Sequence, residues 1–232
     1  MYIPQYDLDL IISKSSVEYA TAIQIMENRV TSIANGTEKE LIWLLEHPPV
    51  YTAGTSAKPE DLTNRHALPV HKSSRGGQYT HHAQGQRVIY LMLDLKKRFA
   101  QPVPDVRKYV KCLEELIIRS LARLKIKGER REGRIGIWIA DESKNTENKI
   151  AAIGVRFTKG ITMHGLAINI NNDLDLFSGI IPCGIKQHGV CSLKSLGFNT
   201  SLQEFDEILM QEIETMLNID FKRQCNEIGT PC

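Results

Sequence analysis

Lys149-Ile150-Ala151-Ala152-Ile153-Gly154-Val155-Arg156-Phe157 and, after a short break, Ile161-Thr162-Met163-His164-Gly165-Leu166-Ala167-Ile168-Asn169-Ile170 decide the fold class. Both runs are dominated by β-branched and small apolar residues, and both read as strands. A third strand is expected at 135–140, joined to the first run by the polar segment 141–148, which suits a hairpin or loop. Along the second run, alternation places His164, Leu166 and Ile168 on one face and Gly165, Ala167 and Asn169 on the other. Gly165 and Ala167 then make a bare patch that can floor a narrow apolar slot.

Outward from this core the pattern changes between periods. From 16 to 33 the apolar positions Val17, Ala20, Ile23, Met26, Val30 and Ile33 recur at helical steps. Residues 41–45 read as a buried strand, stopped by Pro48 and Pro49, which cannot donate to a ladder. Residues 87–95 read as another strand. Pro104, in its favoured first-turn position, opens a helix with the stripe Val106, Tyr109, Val110, Leu113, Leu116, Ile117, Leu121 and Leu124. A last helix spans 200–217, with Thr200 and Gln203, or Ser201 and Glu204, as its capping box. Strands and helices intersperse without strict βαβ alternation, which predicts an α+β fold: a mixed, largely antiparallel sheet flanked by helices. With no repeat, linker or low-complexity stretch, residues 1–232 are expected to form a single domain.

The 42% apolar and 24% charged shares fit a soluble globular chain, and a net charge of only +2 argues against a dedicated nucleic-acid binder. Residues 1–14 lack the basic and apolar regions of a secretory signal, and no apolar run approaches the ~20 residues that span a bilayer. A cytoplasmic protein with no membrane association is expected. Its five cysteines are then free thiols, and no CxxC zinc spacing appears. Cys183, His188 and Cys191 lie close together, but a three-ligand zinc site there requires unusual loop geometry. The basic residues between Arg119 and Arg134 read either as a solvated helix end and connection or as a docking surface for an acidic partner.

Four segments carry chemistry. Cys183, in Gly179-Ile180-Ile181-Pro182-Cys183-Gly184-Ile185, reads as a thiol on a bent loop, since proline fixes φ and glycine permits a sharp turn. As a thiolate it is an acyl nucleophile; the plain alternative is an inert buried thiol. Arg75-Gly76-Gly77-Gln78-Tyr79-Thr80-His81-His82 suits a loop whose backbone N–H groups approach a ligand, or a flexible turn. Lys149 heads its strand either as a solvated end or as an ammonium beside the thiolate. His164 alone on a strand is more often structural than catalytic.

In this order these segments resemble the lipoyl(octanoyl) transferases, over residues 41–197. The resemblance rests on Arg75-Gly76-Gly77 with Thr80 and His82, Gly85-Gln86, Lys149-Ile150-Ala151 with Gly154, His164-Gly165, and Pro182-Cys183-Gly184-Ile185. It implies a fold related to the catalytic domains of biotin and lipoate ligases. It also implies Cys183 as the acyl-accepting nucleophile, and Lys149 as the partner that lowers its pKa and serves as acid and base. Arg75, Gly76, Gly77, Gln78, Tyr79, Thr80, His81, His82, Ala152, Ile153, Gly154, His164, Gly165 and Leu166 are implied to line the acyl substrate. The implied donor is octanoyl-acyl carrier protein. The implied acceptors are lipoyl domains of 2-oxoacid dehydrogenase complexes and the glycine cleavage H protein, with a monomeric enzyme that needs no metal or cofactor. The sequence departs from the family pattern at His81, where an aromatic is usual, at Ala83-Gln84 in place of Gly-Pro, and at Cys191, where threonine is common. Competing readings are an ATP-dependent lipoate or biotin ligase, a non-catalytic module that binds acyl carrier or lipoyl domains, and a thiol hydrolase using Cys183 with His164 or His82.

Overall fold

The computed structural model describes residues 8–99, 105–141, 145–181 and 188–217. In chain order its strands and α-helices are β1 (Leu8–Ile12), α1 (Tyr19–Asn35), β2 (Glu40–Leu45), β3 (Val50–Ala53), β4 (Val70–Lys72), β5 (Tyr79–His82), β6 (Gln86–Met92), α2 (Leu95–Phe99) and α3 (Val106–Arg123). There follow β7 (Glu129–Arg131), β8 (Arg134–Asp141), β9 (Thr146–Thr158), β10 (Ile161–Asn169), β11 (Gly189–Val190) and α4 (Leu202–Leu217). The main sheet runs β1-β2-β6-β10-β9-β8-β7, with β11 lying parallel on β9. The β1–β2 pair is also parallel and is bridged by α1, while the other pairs are antiparallel. This is the mixed, largely antiparallel α+β arrangement that the sequence predicts. A second, small sheet, β4-β3-β5, stands apart from it.

Every residue of β2, β6 and β10 is buried, because both faces of the main sheet are covered. On one face Leu166, Ile168, Ile42 and Ile89 pack with Leu113, Ile117 and Leu121 of α3 and Phe205, Leu209 and Ile213 of α4. On the other, Trp43, Tyr90, Val88 and Ala167 share a cluster with Ala22, Met26, Val30 and Ile33 of α1.

The helices form as the periodicity predicts, with shifted ends. α1 begins at Tyr19 rather than near residue 16, so Tyr19 and Ala22 are buried and Ala20 is exposed. It ends at Gly36, whose φ of 73° is a left-handed cap. α3 is capped by Asp105, whose carboxylate accepts from Lys108 N at 3.0 Å; Pro104 lies outside the described residues. At α4 the Ser201–Glu204 box forms, with Ser201 N donating to Glu204 Oε2 at 2.7 Å and Glu204 N to Ser201 Oγ at 3.2 Å. The strand expected to reach residue 95 stops at Met92. Asp94 then accepts from Lys97 N and Leu95 opens α2. The basic residues between Arg119 and Arg134 are partly exposed and paired with carboxylates, nearer the solvated reading than the docking one. Arg119 and Arg123 meet Glu212, Arg130 meets Glu114 and Glu115, and Arg131 and Arg134 meet Glu147.

Two sets of buried polar groups tie stability to pairing and to pH. Arg87 of β6 grips Asp206 of α4 through Nε and one terminal nitrogen, at 2.7 and 2.8 Å, with both side chains buried. Burial pushes the Asp206 carboxyl up to about 6, with Arg87 pulling the other way. Near α1, His47 donates from Nδ1 to Val17 O at 2.6 Å and accepts the Tyr90 hydroxyl at Nε2, at 2.7 Å. Burial holds His47 and His81 down at about 4, His164 at about 3, and His82 well below the usual imidazole range.

Removing one partner of the Arg87–Asp206 pair is expected to cost about 3–5 kcal/mol, because it strands the other charge. In urea denaturation, Asp206→Leu should therefore be much less stable than the double variant Arg87→Met/Asp206→Leu. Equal stabilities would refute this. The histidines impose a pH limit. As bases with depressed folded pKa values, they leave stability intact above about pH 6.5 and erode it as pH falls toward 4. Each ring contributes up to about a tenfold rise in the unfolding constant per pH unit in that window. Asp206 opposes them in part. The urea midpoint should drop between pH 7 and pH 5; a flat profile would contradict burial as neutral rings.

Candidate active site

The β9–β10 register places Gly154 opposite Gly165 and Ala152 opposite Ala167, and β6 sets Tyr90 beside Gly165 and Val88 beside Ala167. Four near-absent side chains in adjacent rows leave a trough in an otherwise close-packed sheet face. That trough floors a cleft of about 1080 Å³. The bare patch expected on Gly165 and Ala167 is real, and β9 doubles it. Its glycines are held by geometry: a Cβ on Gly165 would lie 2.2 Å from Ile89 O, and one on Gly154 would lie 3.0 Å from Arg75 Cδ. His164 departs from the expected alternation. Its φ of 63° leaves its ring edge-on to Tyr90 at 6.0 Å, while Leu166 and Ile168 pack with α3 and α4.

The glycine loop forms one wall. Arg75, only 7% exposed, turns inward and donates to both Thr52 O and Thr52 Oγ1 at 2.7 Å and to Gly76 O at 3.0 Å. Gly77 requires its glycine, with φ at 85°. The Gly76 N–H, expected to face a ligand, instead donates to Val155 O at 3.0 Å and fastens the loop to β9. Gly77, Gln78, Tyr79, Thr80 and His82 continue the wall.

Lys149 forms the opposite end. It is 8% exposed, so the solvated-strand-end reading is wrong. Its ammonium lies 5.3 Å over the Trp138 ring, which also carries Arg134 at 4.7 Å and meets the His188 ring at 5.4 Å. Gly136, with φ at 122°, makes room: a Cβ there would lie 2.4 Å from Lys149 Cε. A register shift between Ile137 and Trp138 sets this crossing of β8 over β9. The Lys149 backbone is clamped from the far side, where β11 pairs with it and Cys191 N donates to Lys149 O at 3.0 Å.

Of the residues singled out from sequence, Lys149, Arg75 to Thr80, His82, Ala152, Ile153, Gly154, His164, Gly165 and Leu166 line this one cleft. His81 is the correction. Its ring is buried away from the lining, 5.5 Å from Tyr51 and 5.2 Å from Phe177, as strand alternation from His82 requires. Cys183 lies outside the described residues. Cys191 is buried and its thiol is pushed up to about 12 by burial, and Cys112 on α3 is raised for the same reason. Sequence reading missed Tyr19, Val88 and Tyr90, and named Gln86 and Asn169 without giving them a place in the site; all five reach the cleft through the β6–β10 pairing and the start of α1. Val110, Glu114 and Ile135 complete the Lys149 end, where Ile135 stands 54% exposed, a feature visible only in the fold.

The lipoyl protein ligase A/B catalytic domain matches residues 18–214. An octanoyltransferase of Paramagnetospirillum magneticum is 52% identical over 215 residues, covering 93% of this chain and 99% of that protein. Among solved structures, lipoate-protein ligase A bound with ATP superposes with a TM-score of 0.71 at 15% identity, over 98% of this chain and 90% of that one. The bi-partite lipoate protein ligase of Thermoplasma acidophilum gives 0.70 at 16%, over 97% and 88%. The structural likenesses establish the fold, and the close sequence relative narrows the branch. The chain belongs to the lipoyl protein ligase A/B catalytic-domain family, among its octanoyltransferases.

Proposed function

We propose that this protein moves an octanoyl group from an acyl carrier protein to a lysine of lipoyl domains, through a thioester on Cys183. One observation carries the reading: an apolar cleft floored by Gly154, Gly165, Ala152 and Ala167 ends at a buried lysine, Lys149. A straight saturated chain fits such a floor, and each methylene it buries contributes about 0.8 kcal/mol. His188, on the stem that follows the Cys183 segment, touches the same Trp138 ring that carries Lys149. Cys191 and Cys112, with raised thiol pKa values, are poor nucleophiles.

The cycle has two halves. The Cys183 thiolate attacks the carrier thioester, the C–S bond to the carrier breaks, and the Lys149 ammonium protonates the departing thiolate. A neutral acceptor amine then attacks the acyl-enzyme. The C–N bond forms, sulfur leaves as thiolate, and the Lys149 amine takes the proton lost from nitrogen. The first half exchanges thioesters and the second makes an amide at a thioester's expense, so ATP has no part. A thiol near its ordinary pKa of ~8.5 is only about 3% ionised at pH 7; lowering it by two units requires about 2.7 kcal/mol. A single ammonium in a partly dry cleft supplies a stabilisation of that size. Among the described residues no helix is long and apolar enough to cross a membrane. A cytoplasmic, single-domain monomer that also serves glycine cleavage H protein belongs to the same proposal.

Incubation with octanoyl-carrier should leave a hydroxylamine-labile adduct on Cys183, absent from Cys183→Ala, and the octanoyl group should pass to a lipoyl domain without ATP. An adduct mapped to Cys191 or Cys112, or a strict ATP requirement, would falsify the assignment. Lys149→Ala should raise by about two units the pH at which Cys183 is alkylated. An unshifted alkylation profile would remove Lys149 from the role of thiolate partner.

A further inference from the structure

Two cross-strand rows set the shape of the trough. In one, Gly154 stands beside Gly165 and Gly165 beside Tyr90; in the other, Ala152, Ala167 and Val88 follow one another. Strands lie about 4.8 Å apart, so each row stays nearly bare for two strands and then meets a full side chain on β6. The glycine row is the farther of the two from Lys149 along β9, and it ends on the larger residue.

Tyr90 has company there. Tyr19, His82 and His164 line the same end of the cleft, with Tyr19 and His82 at 6.3 Å and Tyr90 and His164 at 6.0 Å between ring centroids. The Arg75 stem closes over Gly154, with Cδ 3.0 Å from where a Cβ would stand.

Hydrogen bonds make this wall rigid. The Tyr90 hydroxyl donates to His47 Nε2 at 2.7 Å, and His47 is anchored in turn on Val17 O at 2.6 Å. The Tyr19 hydroxyl donates to Ser73 Oγ at 2.8 Å, and that oxygen lies 3.3 Å from His164 Nε2. His82 Nδ1 is held by Gln86 Oε1 at 2.7 Å. His47 and Ser73 lie behind the lining, so both tyrosine hydroxyls are engaged away from a ligand and the rings meet it with carbon. A methylene that finds room in the trough raises affinity about fourfold. One that does not must push a locked ring aside, and stranding a buried hydroxyl or imidazole costs more than a methylene returns. Affinity then breaks off at one length instead of tapering, as it would against a pliable methionine.

We propose that this wall is the chain-length stop of the cleft, with Tyr90 as its specificity-determining residue: the methyl end of a straight saturated acyl chain halts against the Tyr90 ring. That the stop falls at eight carbons rests on the transfer reading above; the wall itself does not.

Calorimetric binding of straight saturated carboxylates, from hexanoate to tetradecanoate, tests the stop on the full chain without any acyl transfer. Affinity should rise about fourfold per methylene up to octanoate, then fall at least about tenfold at decanoate. In Tyr90→Leu the break should move to decanoate or beyond, and Tyr19→Leu should move it in the same direction. Tyr90→Phe, which keeps the ring, should leave it at octanoate. A steady climb through tetradecanoate in the unsubstituted protein, or a break that stays at octanoate in folded Tyr90→Leu, would overturn the stop. Should Tyr90→Leu not fold, Tyr19→Leu takes its place with the same two outcomes. A break at another length that still moves in Tyr90→Leu would uphold the stop and count against octanoyl as the ligand, so the two readings fail separately.

Discussion

Close backbone approach across β9 and β10 is the constraint on which the site depends. Glycine faces glycine and alanine faces alanine in that register, and neighbouring main chain leaves no room for more at Gly165. The cleft is therefore cut into the sheet, and its floor moves only if the strand pairing moves. Gly154, the partner of Gly165, lets the Arg75 loop descend onto β9, where Gly76 N donates to Val155 O. Floor and wall are one construction. Specificity for the ligand's cross-section is then set less by side chains that line the trough than by backbone atoms that exclude them.

At the other end, Trp138 organises charge. A cation over an indole face is attracted by the ring quadrupole, most strongly where water is thin. The ring carries Arg134 and Lys149 and meets His188, while Gly136 clears the path of the lysine stem. Lys149 is thus held by packing as well as by its strand.

Much of this was legible in the sequence because its signals are local. The strands at 149–157 and 161–170, the stripe of α3 and the Ser201–Glu204 box each depend on spacing within one element, and each appears close to its expected bounds. The small sheet was not legible. Its strands are three or four residues long, too short for alternation to register, and the β-formers Val50, Tyr51 and Thr52 stand directly after Pro48-Pro49 with no longer run to mark a strand. β1 was missed because its partner β2 is reached only after α1, and a parallel pairing leaves no turn signal. Within the site, Arg75, Lys149 and His164 were found as residue types. The direction of each was not, since the Gly76 amide, the His81 ring and the positive φ of His164 are settled by partners distant in sequence.

The order of strands has a further consequence, in time rather than space. β7, β8, β9 and β10 form a consecutive up-and-down meander, whereas β6 must find β10 and β2 across long intervening chain. Short loops close sooner than long ones. The half of the molecule that contains Lys149 and the glycine–glycine crossing can assemble as an early nucleus, with α1, β1 and the small sheet added afterwards. Pulse-labelled amide exchange during refolding reads this directly: protection at 146–169 should precede protection at 50–53 and 79–82. The enzyme would then acquire its ammonium before the wall that encloses it.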